Sequence, residues 1–268
     1  MPASRSPSRA AKPIPRSRSY WPVILITVLA VLGVIVVELP ASIVAHFLPP
    51  TVHAEDFSGS LWHGSAGKFS VIGRDAGALE WRLHPAALVG MAVAADVHWV
   101  KVGFVVDGAL KLDRQSLTAH DVKGGGPIED LRDLGVAAGW RGTADISLTD
   151  LKLDLGKPRS AVGDIRVSNL SAPQIADGAD LGSFELRLPA GAVDGNGNVS
   201  AQLNDKGGPL DVQALVHYAA TEHTGLLTGT VRERPGAPPA LLSQLQNLTQ
   251  LRGRNPQGRI PVDLEFSL

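Results

Sequence analysis

Eight histidines, a serine between two glycine-flanked positions and an Asp/Asn/Gly stretch are where this chain's residue types could support chemistry. Asp194-Gly195-Asn196-Gly197-Asn198 begins like a calcium loop, whose alternating carboxylates and amides would wrap the ion. The sixth position, which requires Gly, is Val199, and the twelfth, which requires a bidentate Glu, is Asp205. The stretch is therefore read as an Asn/Gly hairpin turn between Ala192 and Val199. Gly124-Gly125-Gly126 has the glycines of a phosphate cradle but lacks the Lys-Ser/Thr that should follow, and is read as a loop. His46, His53, His63, His84, His98, His120, His217 and His223 contain no pair at the helical i, i+4 spacing of a zinc site. Only convergence in the fold could assemble one. Ser65 lacks the Gly two positions before it, so His63-Gly64-Ser65-Ala66-Gly67 is not a nucleophile elbow. No catalytic, cofactor-binding or metal-ligating residue is assigned, no cofactor is expected, and the reading is non-enzymatic.

The elements that would have to position such residues start from composition. The chain has 268 residues, 44% hydrophobic and 5% aromatic, which allows an aliphatic core in one good-sized domain or two small ones. A net charge of −1 gives no reason to expect nucleic acid as a partner. The absence of Cys removes disulfides, thiolate metal sites and Cys nucleophiles, and fits either side of a bacterial inner membrane.

Residues 1–19 are rich in Ser, Pro and Arg, with Arg5, Arg9, Lys12, Arg16 and Arg18 and no acid, the composition of a disordered basic tail. An apolar run follows, in which twelve of the fifteen residues from Val23 to Val37 are Val, Ile or Leu. Residues 20–39 reach the roughly 20 residues needed to cross a bilayer. Val23, Ile24, Leu25, Ile26, Leu29, Leu32, Ile35 and Val37 carry the span, with Tyr20 and Trp21 at the interface. The upstream cations place the N-terminus in the cytoplasm and everything after Glu38 in the periplasm of a bacterial inner membrane. A cleaved signal is the alternative, because Val52-His53-Ala54 precedes Glu55 in the manner of a cleavage site. That site lies well beyond the apolar run, with Pro40, Pro49 and Pro50 between, so the uncleaved anchor is favoured. Residues 40–54 read as a Pro-containing linker and 55–268 as the periplasmic domain. From residue 41 on, 20 Lys and Arg stand against 25 Asp and Glu, a net charge of −5.

That domain reads as mainly β, an antiparallel sheet with one or two short helices. Period-2 alternation puts Phe184, Leu186 and Leu188 on one face and Glu185 and Arg187 on the other. Leu210, Val212, Ala214 and Val216 form a second apolar row, and Ile260, Val262, Leu264, Phe266 and Leu268 a third, against Pro261, Asp263, Glu265 and Ser267. Glycines open the strands at Gly77, Gly108, Gly142, Gly163, Gly182, Gly197, Gly229 and Gly258. Gly77-Ala-Leu-Glu-Trp-Arg-Leu and Gly182-Ser-Phe-Glu-Leu-Arg-Leu are near copies. The pattern fits a sheet solvated on one side, or a curved sheet around an aliphatic interior. Short helices are expected at Pro127–Leu134, on Ile128, Leu131 and Leu134, and at Pro239–Leu251, on Leu241, Leu245 and Leu248 beside Leu242 and Leu251.

Two tryptophan-centred motifs open this domain. Gly59-Ser60-Leu61-Trp62-His63-Gly64-Ser65-Ala66 is followed by Leu79-Glu80-Trp81-Arg82-Leu83-His84-Pro85, then Leu88 and Gly90. On their chemistry alone, Trp62 and Trp81 are large core residues whose indole N–H finds a nearby carbonyl. Together the motifs resemble the start of the periplasmic domain of type II secretion system protein N. The elements that match are Leu61, Trp62, Gly64, Ala66, Trp81, Leu83, Pro85, Leu88 and Gly90, with a looser likeness over residues 20–268.

The resemblance implies an accessory, non-catalytic inner-membrane subunit that supports export of folded periplasmic proteins through an outer-membrane secretin. Its partners would be other inner-membrane subunits of the machine, with the secretin a further candidate. A different class stays open: a lipid-binding β-groove protein on an inner-membrane anchor, with acyl chains on a Val/Leu floor. An outer-membrane barrel would fit the alternating last strand but conflicts with a retained anchor.

Overall fold

The computed structural model describes residues 38–222 and 224–267. The tail and the apolar run, with Tyr20, Trp21 and the anchor residues through Val37, lie outside the described residues. Among the described residues no helix is long and apolar enough to cross a membrane. From Leu39 onward the chain is one unit. Its strands are β1 (Val52–Gly59), β2 (His63–Val71), β3 (Arg74–Leu83), β4 (Val93–Lys101), β5 (Phe104–Leu112) and β6 (Ser116–Pro127). They continue as β7 (Arg141–Asp154), β8 (Lys157–Ala172), β9 (Ile175–Leu188), β10 (Val199–Asp205), β11 (Leu210–Ala219), β12 (Thr224–Glu233) and β13 (Ile260–Ser267). All thirteen join one sheet in the order of the chain, and every neighbouring pair is antiparallel.

Alternation in the sequence becomes two chemically distinct faces, because directly opposed residues share a face. One register line runs Phe57, Ala66, Leu79, Trp99, Val106, Gly124, Ile146, Ile165, Leu186, Leu203, Ala214, Gly229, Val262, one residue from each strand and none polar. At one end this face is capped by the two longest inter-strand connections. The helix α2 (Pro239–Arg252) packs Leu241 and Leu245 against Leu181, Val231 and Ile260, all buried. Burying each such Leu stabilises the fold by about 1.5–3 kcal/mol. Pro239 at its first turn and Gly253 at its end, where Gly253 N–H bonds Thr249 C=O, set its limits. A 3₁₀ helix, Ile128–Leu134, places Ile128 on Phe104 and Ala144. The short helix α1 (Pro85–Leu88) lies in the β3–β4 connection at the opposite end.

The near-copy segments are the same local device. Asp75 accepts from Gly77 N–H at 3.0 Å and Asp180 from Gly182 N–H at 2.8 Å. The intervening Ala76 and Leu181 are buried.

Several expectations change. Gly77, Gly108, Gly142, Gly163, Gly182 and Gly229 lie within strands rather than opening them. The first five sit beside register shifts, where an extra residue bends the strand and the absence of a side chain eases crowding. Gly124-Gly125-Gly126 is not a loop but the end of β6. A Cβ at Gly124 would fall 2.1 Å from the Val105 carbonyl oxygen, so only glycine lets these strands meet. The stretch read as a linker contains a 3₁₀ helix, Ala41–Phe47, with Ala41 only 1% exposed, and the first residues of β1. The short helix expected at Pro127–Leu134 is a 3₁₀ helix, Ile128–Leu134, but its Leu134 is exposed, as is Leu251 at the end of α2. On β13, Ile260 is buried but Leu264 and Phe266 are exposed, since no helix covers that end of the edge strand. Glu185, expected on the solvated face, is 2% exposed.

Candidate functional site

The motif residues meet at one corner of the sheet. Gly64 stands opposite Trp81 and Ala66 opposite Leu79 across the β2–β3 ladder. The Trp81 indole N–H donates to the Leu61 carbonyl at 2.9 Å, and Phe57 meets its ring edge-on with centroids 6.4 Å apart. A Cβ at Gly64 would lie 2.6 Å from the Trp81 ring and 2.9 Å from Ala41 Cβ, so the indole occupies the space glycine leaves. Leu83 N–H bonds the Trp62 carbonyl, joining the two motifs. Pro85 starts α1, Leu88 ends it, and Gly90 N–H returns to Ala87 C=O. Trp62 is half-buried, whereas Leu88 is 48% exposed. The geometry is that of a structural lock, with the indole N–H satisfied as its chemistry requires.

The opposite face carries a polar register line across the whole sheet: Ser58, Ser65, Glu80, His98, Asp107, Lys123, Ser147, Asp164, Arg187, Gln202, Leu215, Thr228, Asp263. Twelve of these thirteen side chains are polar. Near the first motif, a shallow depression of about 500 Å³ is lined by Ser65, His63, Glu80, Arg82, Asp96, His98 and Asp107, among others. The fold has brought histidines to carboxylates that the sequence keeps apart. His98 Nδ1 lies 2.6 Å from Asp107, His84 Nε2 3.0 Å from Asp96, and His120 Nδ1 3.2 Å from Asp150.

The His98–Asp107 pair is not joined by the nearby Ser65. Ser65 and His98 are two strands apart, roughly 9–10 Å at the usual inter-strand spacing. A serine–base hydrogen bond needs about 2.6–3.2 Å. The Ser65 hydroxyl is engaged with that of Ser58 at 2.8 Å instead. Among the described residues no group of three or more His, Cys, Asp or Glu is placed to hold a metal ion. The 194–198 stretch is a turn in which Asp194 accepts from the backbone N–H and side-chain amide of Asn198 and from the N–H of Asn196, which holds its carboxyl below the usual range.

Buried charge lies elsewhere. Glu185 is held by Lys206 at 2.8 Å, Arg166 at 2.8 Å and Arg187 at 3.0 Å, and its carboxyl falls to about 2. Lys206 is the first cause and Arg166 the second. Lys101, 2% exposed, reaches Asp75 and Asp133 at 2.9 and 3.1 Å. Burial opposes its charge, yet the two carboxylates raise its pKa. Asp211 is lowered by Arg259 and then Arg232, at 2.6 and 2.7 Å. These clusters tie neighbouring strands together and hold their titration away from neutrality, the opposite of what acid–base catalysis needs.

A family model described as type II secretion system (T2SS), protein N, matches residues 50–263. The chain belongs to this family. No curated protein and no solved structure matches it. Membership makes the chain a component of the type II secretion system, with other components of that system as its partners. The matched span covers β1 to β12 and the first residues of β13, the sheet as a whole rather than the tryptophan corner alone. Alternation in the sequence marked a polar face, but the His–Asp pairs and the buried clusters were not legible in it. Their partners lie on other strands, and register is set by bulges that no local pattern marks. The one available signal was the repeated Asp-x-Gly-x-x-Glu spacing at 75–80 and 180–185.

Proposed function

We propose that this chain is an accessory, non-catalytic inner-membrane subunit of the type II secretion system, acting by docking rather than turnover. In this reading residues 20–39 anchor it, residues 1–19 are cytoplasmic, and the β unit stands in the periplasm against other inner-membrane subunits. The supporting observation, beside family membership, is the polar line that crosses all thirteen strands of the sheet. A long, ordered, solvated sheet face suits recognition, since charged and polar groups there set specificity and register. Photo-crosslinkers at Glu80, Ser147 and Gln202 in the full chain, activated in intact cells, test this. Capture of inner-membrane secretion subunits is expected, and deletion of the gene should leave exoproteins folded in the periplasm or slow their release. Absence of such crosslinks, with secretion unchanged on deletion, counts against it.

A second reading is supported by the apolar line. A continuous apolar row over thirteen strands, with the two longest helical connections packed at one end of it, suits acyl chains as well as it suits a core. Phospholipid co-purifying with the full chain in stoichiometric amount would favour that reading.

A further inference from the structure

Sheet topology sorts the connections into two rims. One rim holds the β3–β4 connection, the β5–β6 turn and the β7–β8 turn, and the unit begins there. Leu61 N–H bonds the Leu39 carbonyl at 2.7 Å, and Pro40 bridges Ser60 in the β1–β2 turn. This rim exposes large apolar side chains at its tips. Val89 is 90% exposed, Leu155 81% and Met91 69%, with Leu88 half-exposed beside them. Such side chains do no packing work in the unit, and turn geometry does not call for them. Met91 and Leu155 sit at positive φ, 54° and 50°, where Gly, Asn or Asp is the usual choice.

We propose that this rim, through Val89, Met91 and Leu155, seats in the interfacial layer of the bilayer that holds the anchor. The inference rests on the anchor reading of residues 20–39. The length of that run is sufficient to span, and it ends at Leu39, on this rim and not on the other. Its charge pattern fits anionic headgroups. Arg114 lies 3.2 Å from the Met91 sulfur, and Lys157 and Arg159 follow Leu155. The acids of the β5–β6 and β7–β8 turns are engaged locally: Asp113 accepts from Gln115 and Ser116, and Asp154 pairs with Arg159 and Lys152. The far rim also exposes apolar side chains, Ile72 and Val102 at turn tips beside the Lys101–Asp75–Asp133 cluster and Leu134 and Leu251 on its helical connections, but the apolar run does not lead into that rim. Those tips are the internal control.

The chain has no Cys, so single-cysteine variants can carry an environment-sensitive fluorophore. Val89→Cys, Met91→Cys, Leu155→Cys, Ile72→Cys, Val102→Cys and, within the apolar run, Ala30→Cys are made in the full chain. Each is reconstituted in phosphatidylethanolamine/phosphatidylglycerol vesicles with lipids quenching at known depth. Labels at 89, 91 and 155 should shift to the blue and be quenched at interfacial depth, roughly 5–10 Å into the headgroup boundary. Labels at 72 and 102 should stay water-like, and the label at 30 should be quenched deepest. Quenching at 30 with water-like signals at 89, 91 and 155 overturns the rim proposal and leaves the anchor standing. No quenching at 30 overturns both. A blue shift at the rim without lipid quenching means that protein covers it, which also defeats the proposal.

Discussion

Gly64 and Trp81 are two halves of one contact, and each predicts what the other tolerates. Gly64→Ala puts a methyl 2.6 Å from the indole and 2.6 Å from the Ser60 carbonyl, so backbone as well as ring must move. Overpacking of that kind should cost about 1–3 kcal/mol in chemical denaturation. Trp81→Phe keeps most of the apolar area but loses the bond to Leu61, and should cost about 0.5–1.5 kcal/mol. Glu185 gives a pH-dependent counterpart. Its folded pKa of about 2 lies below the ordinary 4.5, so the stabilisation it brings is complete above pH 4.5 and disappears as pH falls toward 2. Glu185→Gln should lower the melting temperature at neutral pH and flatten the acid limb between those values, since three cations then crowd an uncharged partner. A wild-type acid limb that persists in the variant would show that other carboxylates govern it. The indole–carbonyl pairing was legible from residue type alone, because a buried indole N–H must be satisfied. Buried Glu185 and Lys101 were not. Such residues are buried only when paired, and their partners at 166, 206, 75 and 133 become neighbours only through register.

Elements differ in how much of the sheet they protect. The helix α2 covers the β9 and β11–β13 end, so Leu245→Ala should cost about 2–5 kcal/mol, most of it as an unfilled cavity beside Ile260. Ile260→Arg, at 0% exposure, should prevent folding of that end, because the charge has no partner there. Leu264→Arg, four residues along the same strand and 57% exposed, should fall within about 0.5 kcal/mol of wild type. A loss at Leu264 comparable to that at Ile260 would mean that something covers the open end of β13. Alternation in the sequence located β13 and its inward face correctly but not its depth, because burial depends on a helix that reaches only the first turns of the strand. The glycines misled for a related reason. A glycine signals backbone freedom without saying whether a turn or a bulge uses it, and here five of them sit beside bulges inside long strands.

Across the whole molecule the polar line is longer than one partner needs. Twelve inter-strand steps at the usual spacing make it roughly 55–60 Å along the sheet. A standard interface buries about 800 Å² per partner, a patch roughly 30 Å across. The two ends also differ in chemistry. Glu80, Asp96 and Asp107 make the β3–β5 end acidic around its histidines. The β10–β12 end is nearly uncharged, with exposed Leu215 between Gln202 and Thr228 and exposed Leu226 close by. An exposed apolar pair within a polar surface is the composition of an interface centre, whereas the acidic end suits charge steering. Docking at two separate patches therefore predicts independent effects. Glu80→Lys should slow assembly and change its salt dependence, while Leu215→Lys should shorten the lifetime of a complex, and both variants should melt like wild type. Combined, the two losses in crosslinking yield should multiply, since sites this far apart share no partner group. Crosslinkers placed at 80 and at 215 should capture different secretion subunits. If both positions capture the same subunit and the double variant is no worse than either single one, the sheet presents one continuous interface and the two-patch account is wrong.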